Sequence, residues 1–554
     1  MTGGSSLRLY NRLKIMSAIS SAYENWSKED LIARLRQLDQ LQTHRRPPHE
    51  HPIKRHTEPF DFAAHPKRKI ALKFCYHGQH FSGMEFQMTP TQLPTVEGVL
   101  FSALAYARLV DPHGGLEGCG WERCGRTDRG VSAAQQVVSL WVRSAIGDKE
   151  LPSEDKAQLE EVSSSSSLEP SKNEDGLGLV GDLDFVGDWD EPPTNSGRRT
   201  PPKEPSELRY VALLNNILPP TIRIIAWSPV SPNFSARFNC QHRHYKYFFT
   251  SDGLDIEAMQ DAASRLVGEH DFRNMCKMDP RKQLTHFVRK VKRATISPIS
   301  NGLAPTTNMY VFDLIGSAFL YNQVRHIMAL LFLVGAHLEQ PSIINALMNT
   351  DPNSPLSPFR PDESAPSLVL TKPDYQMADP LPLVLWDSAY EDSLLNWQVE
   401  PDEQLSESST SESKPGLSSR DLSAKLYDIM HSLYTRSLIQ TTLDAHFLSV
   451  VSQYHTPSPR YLPLGAPGTQ PIPSGGTFGY PLGGASYKRG SKYVPVLERP
   501  RMASAEEVNE RWRLGRGRKQ WERRLEKRAA YEARSGTSTP GDEATPSPSA
   551  DVDE

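Results

Sequence analysis

Gly125-Arg126-Thr127-Asp128-Arg129-Gly130-Val131-Ser132-Ala133 stands just before Val137 to Val142, a run that reads as a strand. The nine residues form a glycine-bracketed loop presenting one carboxylate between two guanidiniums. Nearby cations favour the ionised acid, which suits a nucleophile and does not suit a general acid. The same residues also read as a structural Asp held in a turn by arginine, and alone they do not separate the two.

Outward from this loop the pattern repeats. Upstream, Ile70, Leu72 and Phe74 alternate with Ala71, Lys73 and Cys75 as in a strand, and Val96, Val99, Leu100, Ala103, Leu104 and Ala107 keep helical spacing. Downstream, order resumes at Tyr210. His244 to Thr250 reads as a strand, and Ile256, Met259, Ala263 and Leu266 as a helix closed by Gly268. Tyr310 to Ile315 reads as a buried strand and Phe319 to Leu338 as a helix. Strand–helix–strand thus occurs on either side of residue 233, which predicts two similar α/β halves sharing a sheet.

The flanks differ in composition. Residues 1–66 are expected to be a tail, with Ser27 and Asp30 capping a short amphipathic helix through Leu31, Leu35 and Leu38. The lobes span 67–232 and 233–392. The first is interrupted at 147–207 by an acidic stretch with five consecutive serines, expected to be disordered because it buries too little apolar surface. Residues 393–554 read as a mostly disordered tail. It holds one helical stretch, Leu422 to Val451, and a basic helix over 506–534 with Trp512 and Trp521, read either as a solvated helix or as a nucleic-acid-binding appendage.

The whole chain agrees with this division. Its 554 residues include 45 prolines, about 8% against a usual ~5%. The longest apolar run, Ile327 to Ala336, is half of the ~20 residues a membrane span needs, so no membrane association is expected. Five cysteines suit a reducing compartment, and Cys119 and Cys124 lack a second pair at zinc spacing, so no metal is expected. The net charge of −4 conceals an asymmetry. Residues 148–207 carry −10 and residues 536–554 carry −5, which leaves +11 for the rest, enough to hold a polyanion.

The loop at Asp128 resembles the catalytic signature of the TruA family of tRNA pseudouridine synthases, in which Arg-Thr-Asp precedes Gly-Val and an Ala. Other motifs follow in that family's order. Tyr76-His77-Gly78 with Phe81 to Gln87 resembles its first strand and loop, and Thr95-Val96-Glu97-Gly98 the start of its first helix. Leu213 to Pro219 resembles the segment leading into its central strands. Phe234 to Phe238 with Arg243 to Tyr247 resembles its mid-chain strand, Phe319 to Arg325 its late helix, and Ala365 to Leu370 its closing strand. Gly268 to Asp279, Met377 to Leu385 and Lys492 to Pro495 resemble the eukaryotic subgroup acting at tRNA positions 38 and 39.

The resemblance implies a central mixed, largely antiparallel sheet with flanking helices. It implies a cofactor-independent isomerase, with tRNA held in a basic cleft that a second subunit of a homodimer completes. By resemblance Asp128 is the nucleophile, Tyr245 lies against the target base, Arg325 pairs with Asp128, and Arg126 helps hold the nucleotide out of its stack. Thr127 and Arg129 flank the nucleophile on the substrate side. Lys73, Arg237, Arg243 and Lys246 alternate with aromatics and read either as phosphate contacts or as ordinary strand charge. Cys75, Cys240 and Cys276 read as packing residues. Nucleus and cytoplasm are the expected compartments; the acid-free, Ser-rich first 23 residues read as a plain disordered tail, with a mitochondrial transit peptide, and so a mitochondrial pool, as the alternative. An RNA-binding protein that kept the fold and lost catalysis is the rival; the Asp128, Tyr245, Arg325 set argues against it. A hydrolase with an Asp nucleophile lacks an Asp-x-Asp or metal-binding partner near Asp128.

Overall fold

Alternation in the first strand builds two faces at once. Ile70, Leu72, Phe74 and Tyr76 of β1 (Lys67–Tyr76) join the main apolar core, while Ala71 joins a smaller cluster with Val137, Phe234 and Cys240 on the opposite face. The computed structural model describes residues 60–146, 207–299, 308–399, 419–455, 478–480, 488–490 and 493–535. The expected helix at 27–38, residues 147–206 of the acidic stretch and the remaining parts of the tail lie outside them.

The other strands of the main sheet are β2 (Glu122–Arg123), β3 (Ser132–Arg143), β4 (Ile222–Pro229), β5 (His242–Thr250), β6 (Gly268–Asp271), β7 (Val288–Pro298), β8 (Met309–Gly316) and β9 (Leu383–Ala389). They form one sheet in the order β4-β1-β3-β9-β5-β8-β7-β6, with β2 paired to β3. Every ladder is antiparallel except β3–β9, which is parallel and two residue pairs long, Ser132 with Val384 and Ala133 with Leu385. The two halves of the sheet meet at this short seam, directly after the Asp128 loop.

Helices cover the main core face. Thr95 caps α1 (Val96–Tyr106), its hydroxyl accepting from the Gly98 amide at 3.2 Å. Next come α2 (Tyr210–Ile217), α3 (Ile256–Ser264), α4 (Gln323–Gly335) and the short α5 (Ile343–Met348). All of α4 is buried, as its nearly continuous apolar composition dictates.

Several boundaries differ from the sequence reading. The helix expected from Phe319 starts only at Gln323, because Asn322 takes a left-handed conformation at φ 59°. Gly268 does not close α3 but opens β6 at φ 123°. Ala365 to Leu370 is no strand; Val369 instead binds Asn349 and Asn274 through its backbone, and β9 closes the sheet. The long helix of the tail, α6, runs Ser419–Tyr454, and the basic helix breaks at Gly515-Arg516-Gly517 into α7 (Ala505–Leu514) and α8 (Arg518–Ser535). Gly517 is required there, since a Cβ would lie 2.1 Å from the Trp512 ring.

The chain on either side of residues 147–206 is clasped at one point. The Glu207 carboxylate accepts from the Ser144 hydroxyl at 2.6 Å and the Ala145 amide at 3.0 Å, and pairs with Arg68 at 3.0 Å.

A candidate active site at the seam of the sheet

The Asp128 loop is shaped by close backbone packing. A Cβ on Gly78 would lie 2.1 Å from the Val131 carbonyl oxygen, so only glycine lets the segment after β1 lie against it. The Met84 amide donates to the Thr127 carbonyl at 3.2 Å, and the buried Thr127 hydroxyl is 2.6 Å from that of Tyr76. Thr127 therefore positions the loop from beneath, its hydroxyl engaged with that of Tyr76.

Asp128 faces the start of α4. Its Oδ2 accepts from Asn322 Nδ2 and lies 3.8 Å from Arg325 Nη1, with about a fifth of the side chain exposed (21%). Burial pushes its carboxyl above the ordinary carboxylate range, and Arg325, Asn322 and Lys277 partly offset that. This corrects the expectation from the loop itself. The flanking arginines turn away, Arg126 to Glu85 at 2.9 Å and Arg129 to Gln92 at 3.1 Å, so the opposing charge comes from distant segments.

Arg325 is aimed by the Met377–Leu385 stretch. Its Nε donates to the Ala378 carbonyl at 2.9 Å, and its own carbonyl accepts from the Ala378 amide at 3.0 Å. Tyr245, on β5 opposite Leu385 and Leu314, sets its ring edge against Phe319 at 5.2 Å between centroids. Its hydroxyl bonds to no described residue. Burial raises the phenol, so Tyr245 stays neutral.

Arg126 is held by a relay that begins in the core. The fully buried Glu97 accepts from the Phe86 amide and the Trp121 indole, both at 2.7 Å, and pairs with Arg123. Arg123 reaches Glu85 at 3.2 Å, and Glu85 holds Arg126. Arg243 donates to four carbonyls, those of Cys124 (2.9 Å), Arg237 (3.0 Å), Cys240 (3.3 Å) and Ser317 (2.7 Å). It braces the two halves, its guanidinium engaged by backbone carbonyls. Lys73 bonds to Gln135 at 3.2 Å and lies over Trp397, and Lys246 pairs with Asp313 at 3.0 Å. Arg237 lies over the ring of Phe238, which is 73% exposed.

Sequence reasoning missed Asn322, Phe319, Lys277, Lys282 and Glu97. Lys277 stands over Tyr321, and Lys282 has Arg126, Asp279, Glu85 and Arg237 as charged neighbours. The signal for Asn322 was present: an Asn directly before an apolar helix is a residue suited to φ > 0.

Comparison with known proteins gives consistent results. A model of the tRNA pseudouridine synthase family matches residues 262–391. The tRNA pseudouridine(38/39) synthase of Saccharomyces cerevisiae is 37% identical over 403 residues, 69% of this chain and 75% of that protein. That of Homo sapiens is 37% identical over 337 residues, 60% of this chain and 57% of the relative, so the chain spans little more than half of the human protein. A tRNA pseudouridine synthase A of Methanosarcina mazei is 24% identical over 283 residues, 51% of this chain and 77% of the relative.

Proposed function

The chain belongs to the TruA family of tRNA pseudouridine synthases, and on that premise we propose that it isomerises uridine to pseudouridine at tRNA positions 38 and 39, with Asp128 as nucleophile. The observation that carries the reading is one carboxylate, held between the Asn322 amide and the Arg325 guanidinium beside Tyr245, in a chain this similar to two 38/39 synthases.

The reaction breaks the N1–C1′ bond, turns the base and joins C5 to C1′, after which the C5 proton leaves and the freed N1 takes up a proton. Its atoms balance without an oxidant or a second substrate. Asp128 attacks either the sugar or the base and holds that fragment while the other turns. A carboxylate raised by burial is a better nucleophile than an exposed one, provided that Arg325 and Asn322 keep it ionised. Neutral Tyr245 supplies a face against the uracil and excludes water. The target nucleotide must leave its stack to arrive there, and Arg126, fixed through Glu85, stands on the same loop to hold it.

A homodimer belongs to the same proposal. In its support, α6 exposes Tyr427, Leu438, Ile439, Phe447, Leu448 and Tyr454, more apolar surface than an isolated helix keeps in water. Five free cysteines support a reducing compartment, and we propose nucleus and cytoplasm with a mitochondrial share.

The test is incubation of purified protein with tRNAs carrying single uridines at 27, 38, 39 or 55, followed by chemical mapping. Conversion at 38 and 39 in unrelated tRNAs is expected. Preferential conversion at 27 or 55 would remove the positional assignment, and no conversion at any site would remove the activity.

A further inference from the structure

The arm formed by α7 and α8 lies beyond the family match, yet it is firmly seated. Buried Asn509 donates to the Leu284 carbonyl at 3.0 Å and its own carbonyl accepts from Gln283 at 3.3 Å; Arg524 donates to the Arg281 carbonyl at 2.9 Å. Arg513 lies over Trp521 at 5.6 Å, and Trp512 packs on Gly517, so both indoles serve the arm's own packing.

From Arg511 to Arg524 the arm holds seven arginines and lysines and one acid, Glu522, which pairs with Arg518 at 2.9 Å. Arg511, Arg516, Lys519 and Arg523 are exposed and have no ionic partner among the described residues. The segment that seats the arm, Arg281 to Leu284, contains Lys282, a neighbour of Arg126 and Arg237, and a few residues earlier Lys277 faces Asp128. One positive strip thus runs from the mouth of the site onto the arm, whose α8 alone spans about 27 Å.

We propose that this arm is a second RNA-binding site, a strip of cations that grips the tRNA backbone beyond the nucleotides at Asp128. The inference rests on tRNA being the substrate. Phosphate is the ligand that the chemistry favours. Arg511, Arg516, Lys519 and Arg523 are exposed with no ionic partner among the described residues, the indoles are occupied, and the strip is continuous with a site that RNA must enter, so binding is independent of base sequence.

The test uses full-length protein carrying R511Q, R516Q, K519Q and R523Q together, with tRNA affinity measured between about 50 and 200 mM salt. Each phosphate contact contributes about 0.9 to the slope of log K against log salt, so the slope should become shallower by about 3 and Kd at the lower salt should rise at least tenfold. The turnover rate at saturating tRNA and the melting temperature should not change. The charge-keeping substitutions R511K, R516K and R523K in the wild-type background should preserve affinity. Unchanged affinity and slope would overturn the inference and leave the strip to an acidic protein. Weakened binding by the quadruple variant, together with a wild-type protein that converts no uridine, would instead overturn the catalytic reading alone.

Discussion

Asn322→Gly isolates the contribution of one amide to the nucleophile. The residue sits at φ 59°, where glycine is unstrained, whereas alanine would add about 1 kcal/mol of backbone strain and confuse the result. The variant removes the hydrogen bond that the Asn322 amide donates to the Asp128 carboxylate and leaves Arg325 at 3.8 Å. That remaining pair is worth about 4 kcal/mol at an effective dielectric of 20, enough to keep the carboxylate in place without aiming it. A hydrogen bond to a charged group contributes roughly 1.5–3 kcal/mol, so the single-turnover rate should fall roughly 10- to 150-fold. Because the lost donor opposes the effect of burial, Asp128 should hold its proton to higher pH, and the acid limb of the rate profile should move upward. Release of tritium from C5-labelled uridine, with enzyme in excess over tRNA, reads both quantities. A rate within twofold of wild type and an unmoved acid limb would refute the argument that Asn322 aims and ionises Asp128.

Asp128→Asn should abolish turnover by many decades while tRNA binding persists. A carboxyl raised in the folded state stabilises below its unfolded pKa and loses that contribution as pH rises through the folded value, so the neutral amide should raise the melting temperature at pH 8 by a few degrees at most; a clear decrease would contradict the dominance of burial. Glu97→Gln breaks a buried pair and should cost about 3 kcal/mol in urea unfolding, with a fall in kcat/KM as the relay to Arg126 loosens. Arg243→Met strands four carbonyls and should cost about 3 kcal/mol while the salt dependence of tRNA binding stays constant; a shallower slope would make Arg243 a phosphate ligand after all.

Strands were legible wherever apolar residues alternated over a full element, as in Ile70-Leu72-Phe74, because period two has one structural solution. Boundaries failed where a single backbone conformation overrode periodicity. The apolar periodicity from Phe319 carries the helix past Asn322, whose residue type alone marks the left-handed turn, and the basic run through Arg516 continues past two glycines that break it. Asp128, Tyr245 and Arg325 could be named from motifs. That Asn322 meets Asp128 across 194 residues could not, since it depends on how β3 and β9 meet. The cation that faces Asp128 could be named from the motif resemblance, as Arg325, but not from local charge, which suggested Arg126 and Arg129; folding turned both of these away.

The Glu207 clasp makes the chain indifferent to what it encloses. With Ser144 and Ala145 fastened to Glu207, both ends of residues 147–206 are fixed within the fold, and β1 stays laddered to both β3 and β4 whether or not the two are covalently continuous. In evolutionary terms this is a site where sequence can be gained, lost or cut without redesign of the sheet. A protein nicked there should remain one particle on a sizing column and keep its turnover, two polypeptides working as a single enzyme.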